Sequence, residues 1–349
     1  MTLLKIQSEP SNPQPSKIAV GIDLGTTHSL IALHHNKKTE ILLDEQKREL
    51  LPSVVHYRAT GERETGFEAL QHLISDPQNT ITSIKRLMGR SYQEVCRLHC
   101  AKRYKLRKNQ PEIAHIQTIC HSVTPIEVSA EILRVLYDRA QAKAFGLGDK
   151  LIGAVITVPA YFDDAQRQAT KDAAKLANIP VLRLLNEPTA AAIAYGLDRV
   201  ENQTCLIFDV GGGTFDVSIL EIKEGIFEVL ATGGDTQLGG DDIDNLLGEW
   251  IAKKACLSNQ EINEMQCELC IVAKKTKEQL SESVSSHIEL SNGWNDTITL
   301  DVFNGLLTDI MKRIFSTCDK VLNDAALLVQ DIDAIVLVGG TTRIPLLRQ

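Results

Sequence analysis

The chain has 349 residues, of which 43% are hydrophobic and 23% charged, and its formal net charge is −8. This length exceeds what one hydrophobic core usually serves and predicts two lobes. The acidic balance argues against nucleic acid or an anionic membrane as a partner, and no apolar run approaches membrane-spanning length. Eight cysteines spread along the chain are typical of reduced thiols, so we expect a cytoplasmic protein.

The first elements are a tail and a hairpin. Residues 1–16 are rich in Pro and Ser and lack the apolar core of a secretory signal, which predicts a disordered tail. The apolar run 18–22 leads to Asp23, a Gly/Thr turn and a second apolar run at 30–33. This pattern predicts a β-hairpin whose tip exposes backbone N–H groups beside a carboxylate. Such a tip suits a phosphate, and the carboxylate suits Mg²⁺.

A basic segment follows at 53–123, and we expect it to be a mostly helical insertion. Its most basic stretch, 102–108, is interpreted as a solvated loop because the chain around it is acidic. Cys96 and Cys100 are interpreted as ordinary thiols, since no second Cys or His pair has a matching metal-ligand spacing.

The next region predicts a strand followed by two helices. Residues 154–162 read as a buried strand, and a helix opens at Asp163. Glu187 starts an Ala-rich helix at 186–192. Its carboxylate is either a first-turn acid favoured by the helix dipole or a group that orients metal-bound water.

The hairpin pattern then returns at 205–220. Asp209 follows Asp23 by 186 residues (209 − 23), and Gly340 follows Pro159 by 181 (340 − 159). Two near-equal offsets in the same order indicate a duplicated unit. Two tips that face each other would enclose a Mg-nucleotide from both sides.

A second insertion, 240–300, is predicted to be rich in helices. It contains Cys267 and Cys270 within a helical pattern, and we interpret both as ordinary helix residues. The chain contains neither a P-loop motif nor a dinucleotide fingerprint. The two Asp-Gly/Thr turns and Val-Gly-Gly-Thr-Thr at 338–342 are therefore the phosphate-binding candidates, and Asp216 is a candidate for orienting the attacking water.

These motifs resemble those of the DnaK-type, 70-kDa heat-shock chaperones over residues 17–349. The matching segments are 21–27, 158–162, 186–192, 208–216, 234–240 and 338–345. The resemblance implies an α/β fold of the actin/hexokinase type, with two duplicated lobes of mixed sheet and helices around a central nucleotide cleft. Lobe I would span 17–200 (core 17–52 and 124–200, insertion 53–123). Lobe II would span 201–349 (core 201–239 and 301–349, helical insertion 240–300).

The resemblance also implies an ATPase site that binds ATP or ADP with Mg²⁺. Asp23 and Asp209 would hold Mg²⁺ through water, and the catalytic set would be Lys85, Glu187, Asp209, Thr214 and Asp216. The nucleotide would be bound by Asp23, Gly25, Thr26, Thr27, His28, Gly211, Gly212, Gly213, Thr214, Lys277, Ser281, Gly339, Gly340, Thr341 and Arg343.

Within the family, residues 50–57, 83–90 and 182–188 most resemble the branch specialised for iron–sulfur cluster assembly. The resemblance implies a monomer that works with an iron–sulfur scaffold protein and a J-type co-chaperone. Arg183 is a candidate contact for the co-chaperone, and Pro159 and Arg167 would form part of a nucleotide-state switch. The alternatives are a general protein-folding chaperone, a sugar or metabolite kinase of the same fold, and an actin-like filament protein.

Two departures from the family pattern stand out. The helix that clasps adenosine generally carries Glu, Lys, Arg and Ser, whereas this chain has Lys274, Lys277, Glu278 and Ser281. An arginine plane stacks on adenine better than a glutamate does, so we expect looser nucleotide binding and exchange without a dedicated factor. The second departure is the ending at Gln349. It predicts a fragment that lacks the last helices of lobe II, the linker and the peptide-binding domain.

Overall fold

A computed structural model describes residues 16–98, 101, 104–108, 113–197 and 202–349. The predictions for residues 1–15, Cys100 and 102–103 lie outside these residues. The strands are β1 (Lys17–Asp23), β2 (His28–His35), β3 (Lys38–Ile41), β4 (Leu51–Pro52), β5 (Val55–Tyr57), β6 (Arg63–Thr65), β7 (Thr80–Ile81), β8 (Leu106–Lys108), β9 (Ala114–Gln117), β10 (Ser122–Val123), β11 (Lys150–Val158), β12 (Val181–Asn186), β13 (Gln203–Val210), β14 (Phe215–Lys223), β15 (Ile226–Asp235), β16 (Ser285–Glu289), β17 (Asn295–Thr299) and β18 (Ala334–Val338).

Helices flank these strands, and among the described residues none is both long and apolar enough to cross a membrane. Several begin at the side-chain caps that their sequences offer: Asp163, for example, accepts a hydrogen bond from the backbone N–H of Gln166. The helices are α1 (Phe67–Leu70), α2 (Tyr92–Arg97), α3 (Pro125–Leu147), α4 (Asp164–Leu176), α5 (Glu187–Ala194), α6 (Gly240–Lys254), α7 (Asn259–Glu264), α8 (Gln266–Leu280), α9 (Leu300–Leu306), α10 (Thr308–Asp324) and α11 (Pro345–Arg348).

Two sheets share one connectivity. The first has the order β12-β11-β1-β2-β3, with β4 paired to β2, and the second has the order β15-β14-β13-β18. In each sheet the first strand pairs antiparallel with the next strand and parallel with a much later one: β1 with β2 and β11, and β13 with β14 and β18. Both predicted hairpins are therefore confirmed, and the repeated topology agrees with the predicted duplication.

Burial follows the strand period of two. Along β1, Ile18, Val20 and Ile22 are buried on one face. The long helix α3 covers this sheet, while α10 packs on β14 and β15 of the second sheet. The short helix α5 contacts strands of both sheets, so its N-terminal residue, Glu187, lies where the two sheets approach each other.

The prediction of a mostly helical segment at 53–123 is wrong. In the described part of that segment, β6-β5-β7 and β10-β9-β8 form two three-stranded sheets, accompanied by the short helices α1 and α2 and a 3₁₀ helix at Ile84–Leu87. The strands here are only two to four residues long and are separated by turns, so they leave no clear apolar period in the sequence. The prediction for 240–300 is confirmed in its main feature, since α6, α7 and α8 precede the hairpin β16-β17.

Candidate active site

The first glycine turn joins β1 to β2 and is fixed by serine hydroxyls. Ser29 Oγ accepts the Gly25 N–H at 3.1 Å and lies 2.9 Å from Ser53 Oγ, which donates to the Gly25 carbonyl at 2.8 Å. A Cβ on Gly25 would overlap the carbonyl oxygen of His28, so the turn requires glycine at this position.

The second turn joins β13 to β14 and is held by backbone and hydroxyl donors. The Gly211 N–H donates to the Thr214 carbonyl at 3.0 Å, and the Gly211 carbonyl accepts from the Gly240 N–H at 3.0 Å. Thr341 Oγ1 donates to the same carbonyl at 2.9 Å. The predicted turn at 339–342 therefore braces the one at 211–214.

The tips of the two turns lie directly against each other. A Cβ on Gly212 would overlap Thr27 Oγ1, and a Cβ on Gly213 would overlap Thr26 Cγ2. Only glycine permits this approach of one tip to the other. The pattern of the sequence predicted the facing tips, and the structure confirms this arrangement.

Carboxylates lie at the ends of both hairpins. Asp23 ends β1 and accepts a hydrogen bond from Thr157 Oγ1 at 2.7 Å. Burial, followed by the charges of Glu187 and Asp23, raises the pKa of Asp209 to about 7. Burial and the charges of Glu187 and Asp209 also hold the pKa of Asp216 well above its usual value. These acids therefore form one electrostatically coupled cluster.

One ammonium group enters this cluster. Lys85 Nζ lies 2.5 Å from Glu187 Oε1, with side-chain exposures of 10% and 17%. Burial alone would lower the pKa of Lys85, but the charges of Glu187 and Asp23 outweigh it and the pKa is raised. Burial raises the pKa of Glu187, and the charge of Lys85 opposes that rise.

The donor set fits a divalent cation and a phosphate. Among the described residues, four carboxyl groups lie around the Lys85 ammonium, and burial together with their mutual repulsion raises the pKa of Asp209 and Asp216. A hard cation with oxygen ligands would relieve that repulsion. In the described part of the chain, the buried atoms Thr27 Oγ1 and Asp216 Oδ1 have no hydrogen-bond partner. Buried polar atoms of this kind normally find a partner. A phosphate oxygen would accept from the Thr27 hydroxyl, and a metal-bound water would donate to Asp216 Oδ1.

Two side-chain hydrogen bonds join residues 83–86 to the start of α6, and sequence reasoning missed them. Ser83 Oγ donates to Asp241 Oδ2 at 3.0 Å, and Arg86 Nη2 donates to Asp242 Oδ2 at 2.7 Å. Thr157 was also missed, although a hydroxyl in an otherwise apolar strand run was a usable signal.

Comparison with known proteins decides the family. The family model described as Hsp70 protein matches residues 19–349. The chain belongs to the Hsp70 family. Hsp70 proteins are ATPases that bind nucleotide with Mg²⁺, and they share the actin/hexokinase-like fold, so the predicted fold class is confirmed.

Curated relatives agree with this assignment. The chain is 47% identical over 352 residues to the chaperone protein HscA of Pectobacterium carotovorum. It is 49% identical to the chaperone protein HscA homolog of Actinobacillus pleuropneumoniae and 48% identical to the HscA of Xenorhabdus nematophila. Each alignment covers 100% of this chain and 56% of the relative. The chain thus spans little more than half the length of these relatives.

The positions predicted to bind adenosine lie on α8, except for Ser281, which is the C-terminal cap of that helix. Lys277 Nζ is 2.8 Å from Asp244 Oδ1 and donates to the Gly240 carbonyl at 3.0 Å. Ser281 Oγ donates to the Lys277 carbonyl of its own helix. Lys277 and Ser281 thus bond within the second lobe, and this structure brings neither to the carboxylate cluster.

Lys274 and Glu278, the two α8 positions that differ from the family pattern, act electrostatically on His28 of the first hairpin. Burial, followed by the charge of Lys274, lowers the pKa of His28, while Glu278 opposes this effect.

Gly339, at φ 86°, lies against the Val210 carbonyl, and Gly340 begins the 3₁₀ helix Gly340–Arg343. Arg343 is exposed on the outer side of that turn.

Arg167 and Arg183, the two remaining predicted residues, line one surface groove. Arg167 donates to the carbonyl oxygens of Phe162 at 2.9 Å and Ala160 at 3.1 Å and to Asn186 Oδ1 at 3.0 Å. It therefore ties the loop after β11, which contains Pro159, to the start of α5. Arg183 is exposed on β12 and lines a surface groove of about 980 Å³.

Proposed function

We propose that the chain is the ATP-binding and ATP-hydrolysing domain of a chaperone that assists iron–sulfur cluster assembly and transfer. The observation that carries this proposal is the buried cluster of four carboxylates around Lys85, enclosed by two opposed glycine turns. Family membership and 47–49% identity to HscA proteins support it.

In this proposal the turns bind the phosphates. The backbone N–H groups of residues 26–27 and 212–214 and the threonine hydroxyls of those turns donate to the phosphate oxygens. Asp23, held in place by Thr157, and Asp209 would hold Mg²⁺ through its bound water. Mg²⁺ supplies charge neutralisation for the transferred phosphoryl group.

The remaining residues orient the nucleophile and stabilise charge. Asp216, with its unpartnered Oδ1, accepts a proton from the attacking water or orients it, and Thr214 holds that carboxyl. Lys85 donates a charged hydrogen bond toward the γ-phosphate, and Glu187 keeps the ammonium in position. The closely packed turns exclude bulk water, which strengthens these interactions.

The same proposal includes two protein partners, a J-type co-chaperone and an iron–sulfur scaffold protein. We place the J-type co-chaperone at the groove beside Arg183, adjacent to Arg167, whose contacts reach the helix that carries Glu187. The iron–sulfur scaffold protein would bind the part of the relatives that this chain does not span. We propose a cytoplasmic monomer that requires neither nucleic acid nor a membrane.

The test is a phosphate-release assay with Mg-ATP, run with and without sugar acceptors. The proposal expects phosphate in water and no phosphorylated acceptor, whereas acceptor phosphorylation would favour a kinase. An iron–sulfur scaffold protein should stimulate the full-length chaperone in the presence of its J-type co-chaperone. Stimulation by unfolded polypeptides but not by the scaffold would favour the general folding chaperone.

A further inference from the structure

A second cluster of titratable side chains lies in the small sheet β6-β5-β7, outside the proposed ATPase site. His56 and Glu64 are cross-strand partners, with His56 Nδ1 3.0 Å from Glu64 Oε2. His72, in the turn after α1, places Nε2 3.0 Å from the same oxygen. The two imidazole rings are stacked, with centroids 4.1 Å apart. His56 is only 4% exposed, so this member of the cluster belongs to the folded interior.

The backbone that carries the cluster is well fixed. Thr80 Oγ1, fully buried on β7, donates to the carbonyls of His72 at 3.2 Å and Asp76 at 2.7 Å. The Asp76 N–H also donates to the His72 carbonyl at 2.8 Å. His56 lies opposite Thr80 in the sheet register. The loop that bears His72 is therefore tied to the strand beside His56.

The outer partners have the arrangement seen around ligating histidines. His56 Nε2 lies 3.2 Å from Asp76 Oδ2, and Asn79 Nδ2 donates to Asp76 Oδ1 at 2.7 Å. Arg58 binds the second oxygen of Glu64, which keeps Oε2 turned toward both imidazoles. Ligating histidines usually donate their other ring N–H to a carboxylate in this way, which fixes the tautomer and leaves the first nitrogen available.

We propose that His56, Glu64 and His72 bind a divalent transition-metal ion of the Zn²⁺ class. The three candidate ligand atoms lie within 4.8 Å of one another. Ligands at about 2.0–2.1 Å from tetrahedral Zn²⁺ lie about 3.3 Å apart, so small movements bring these atoms into range. Two imidazoles and one carboxylate, with water in the fourth position, are a donor set that suits Zn²⁺ and not Mg²⁺.

Binding requires the stacked rings to splay. The His72 side chain is 30% exposed and lies on a turn, so it is the ligand that can reorient, while the buried His56 stays in place. The competing reading is a network of ion pairs alone, in which His56 carries a proton on each nitrogen between Glu64 and Asp76. A network of ion pairs alone would bind no metal ion, so a measurement of metal binding distinguishes the two alternatives.

The test is titration of the metal-free chain with Zn²⁺ by calorimetry and with Co²⁺ by visible absorption. Excess Mg²⁺ is kept present to occupy oxygen-only sites. The proposal expects one Zn²⁺ per chain and the visible d–d bands of low-symmetry Co²⁺. His72→Ala should abolish both signals, and Asp76→Ala should weaken Zn²⁺ binding by about 10–100-fold.

Matched variants keep the test decisive. His287→Ala removes an exposed histidine of the β16-β17 hairpin and should change nothing. A Cys267→Ser/Cys270→Ser variant should still bind, which excludes a thiolate site at this pair of cysteines. Glu64→Gln keeps the size of the side chain and should weaken binding, and its circular dichroism reports whether the sheet still folds. The proposal is overturned if the wild-type chain binds no Zn²⁺ under these conditions, or if His72→Ala binds as tightly as the wild-type chain.

Discussion

The hairpins β1-β2 and β13-β14 carry the same turn but have different neighbours. Beside Asp23 the parallel strand β11 presents Thr157, whose hydroxyl donates at 2.7 Å. Beside Asp209 the parallel strand β18 presents Val338, whose side chain has no donor. Asp209 is left in a buried acidic environment that raises its pKa to about 7. The two turns are therefore similar, while the neighbouring strands give the two aspartates different hydrogen-bond surroundings.

The largest effect should come from removing the ammonium group of Lys85 from the carboxylate cluster. Lys85→Ala leaves Glu187 buried without its cation and removes a charged donor, so hydrolysis should fall by about 10²–10³-fold. Single-turnover phosphate release measures this loss. Lys253→Ala, at an exposed position on α6, is the control, and equal rates for both variants would contradict the role given to Lys85.

The next largest effect should come from disturbing the close approach of the two turns. A Cβ on Gly213 would overlap Thr26, so Gly213→Ala should push the turns apart and weaken Mg-ADP binding by more than about tenfold. Gly21→Ala is the matched control, because a Cβ at Gly21 has no atom within 4 Å among the described residues. Calorimetry compares the two. Unchanged binding in Gly213→Ala would show that the turns do not need this close approach.

Exchanging the residues beside the two aspartates tests the difference between Asp23 and Asp209 directly. Val338→Thr should give Asp209 a hydroxyl donor, lower its pKa and strengthen Mg-ADP binding at pH 7 by about 0.5–1.5 kcal/mol. Thr157→Val should weaken binding by a similar amount, because Asp23 loses its donor. Isothermal titration reports both changes. If both substitutions shift the affinity in the same direction, the assigned difference between the acids is wrong.

Stability should depend on pH through Asp209 when divalent cations are removed with EDTA. The folded-state pKa of about 7 lies above the unfolded value of 3.8, so the folded chain binds the proton more tightly. The free energy of unfolding should therefore fall as pH rises from 5 to 8, by on the order of 2 kcal/mol from this group. Urea unfolding of wild type and Asp209→Asn measures the difference. A wild-type slope that persists in the variant would assign the effect to other groups.

The smallest expected effect concerns the adenosine helix. Replacing Lys274 by Glu and Glu278 by Arg restores the general family pattern and should slow ADP release by a few-fold. Release of a fluorescent ADP analogue by stopped flow tests this. Slow release in the unmodified chain that accelerates with a GrpE-type exchange factor would refute the looser clasp.

The sequence was sufficient for those features that local pattern determines. Both hairpins, the strand before Pro159 and the helix beginning after Asp163 are set by residues that lie close together in the chain. The pairing of Thr157 with Asp23 depends on a parallel register across 134 residues, and no local signal gives it. The sheets within 53–123 were missed because their strands are too short to show a clear period.

Calorimetric titration of Mg-ADP into the wild-type chain and an Asp23→Asn/Asp209→Asn variant tests the central claim most directly. Opposed turns that enclose a Mg-nucleotide predict saturable binding of one nucleotide per chain, weakened at least tenfold by EDTA or by the double substitution. No heat from a folded wild-type chain, or the same affinity in the variant, would contradict the claim.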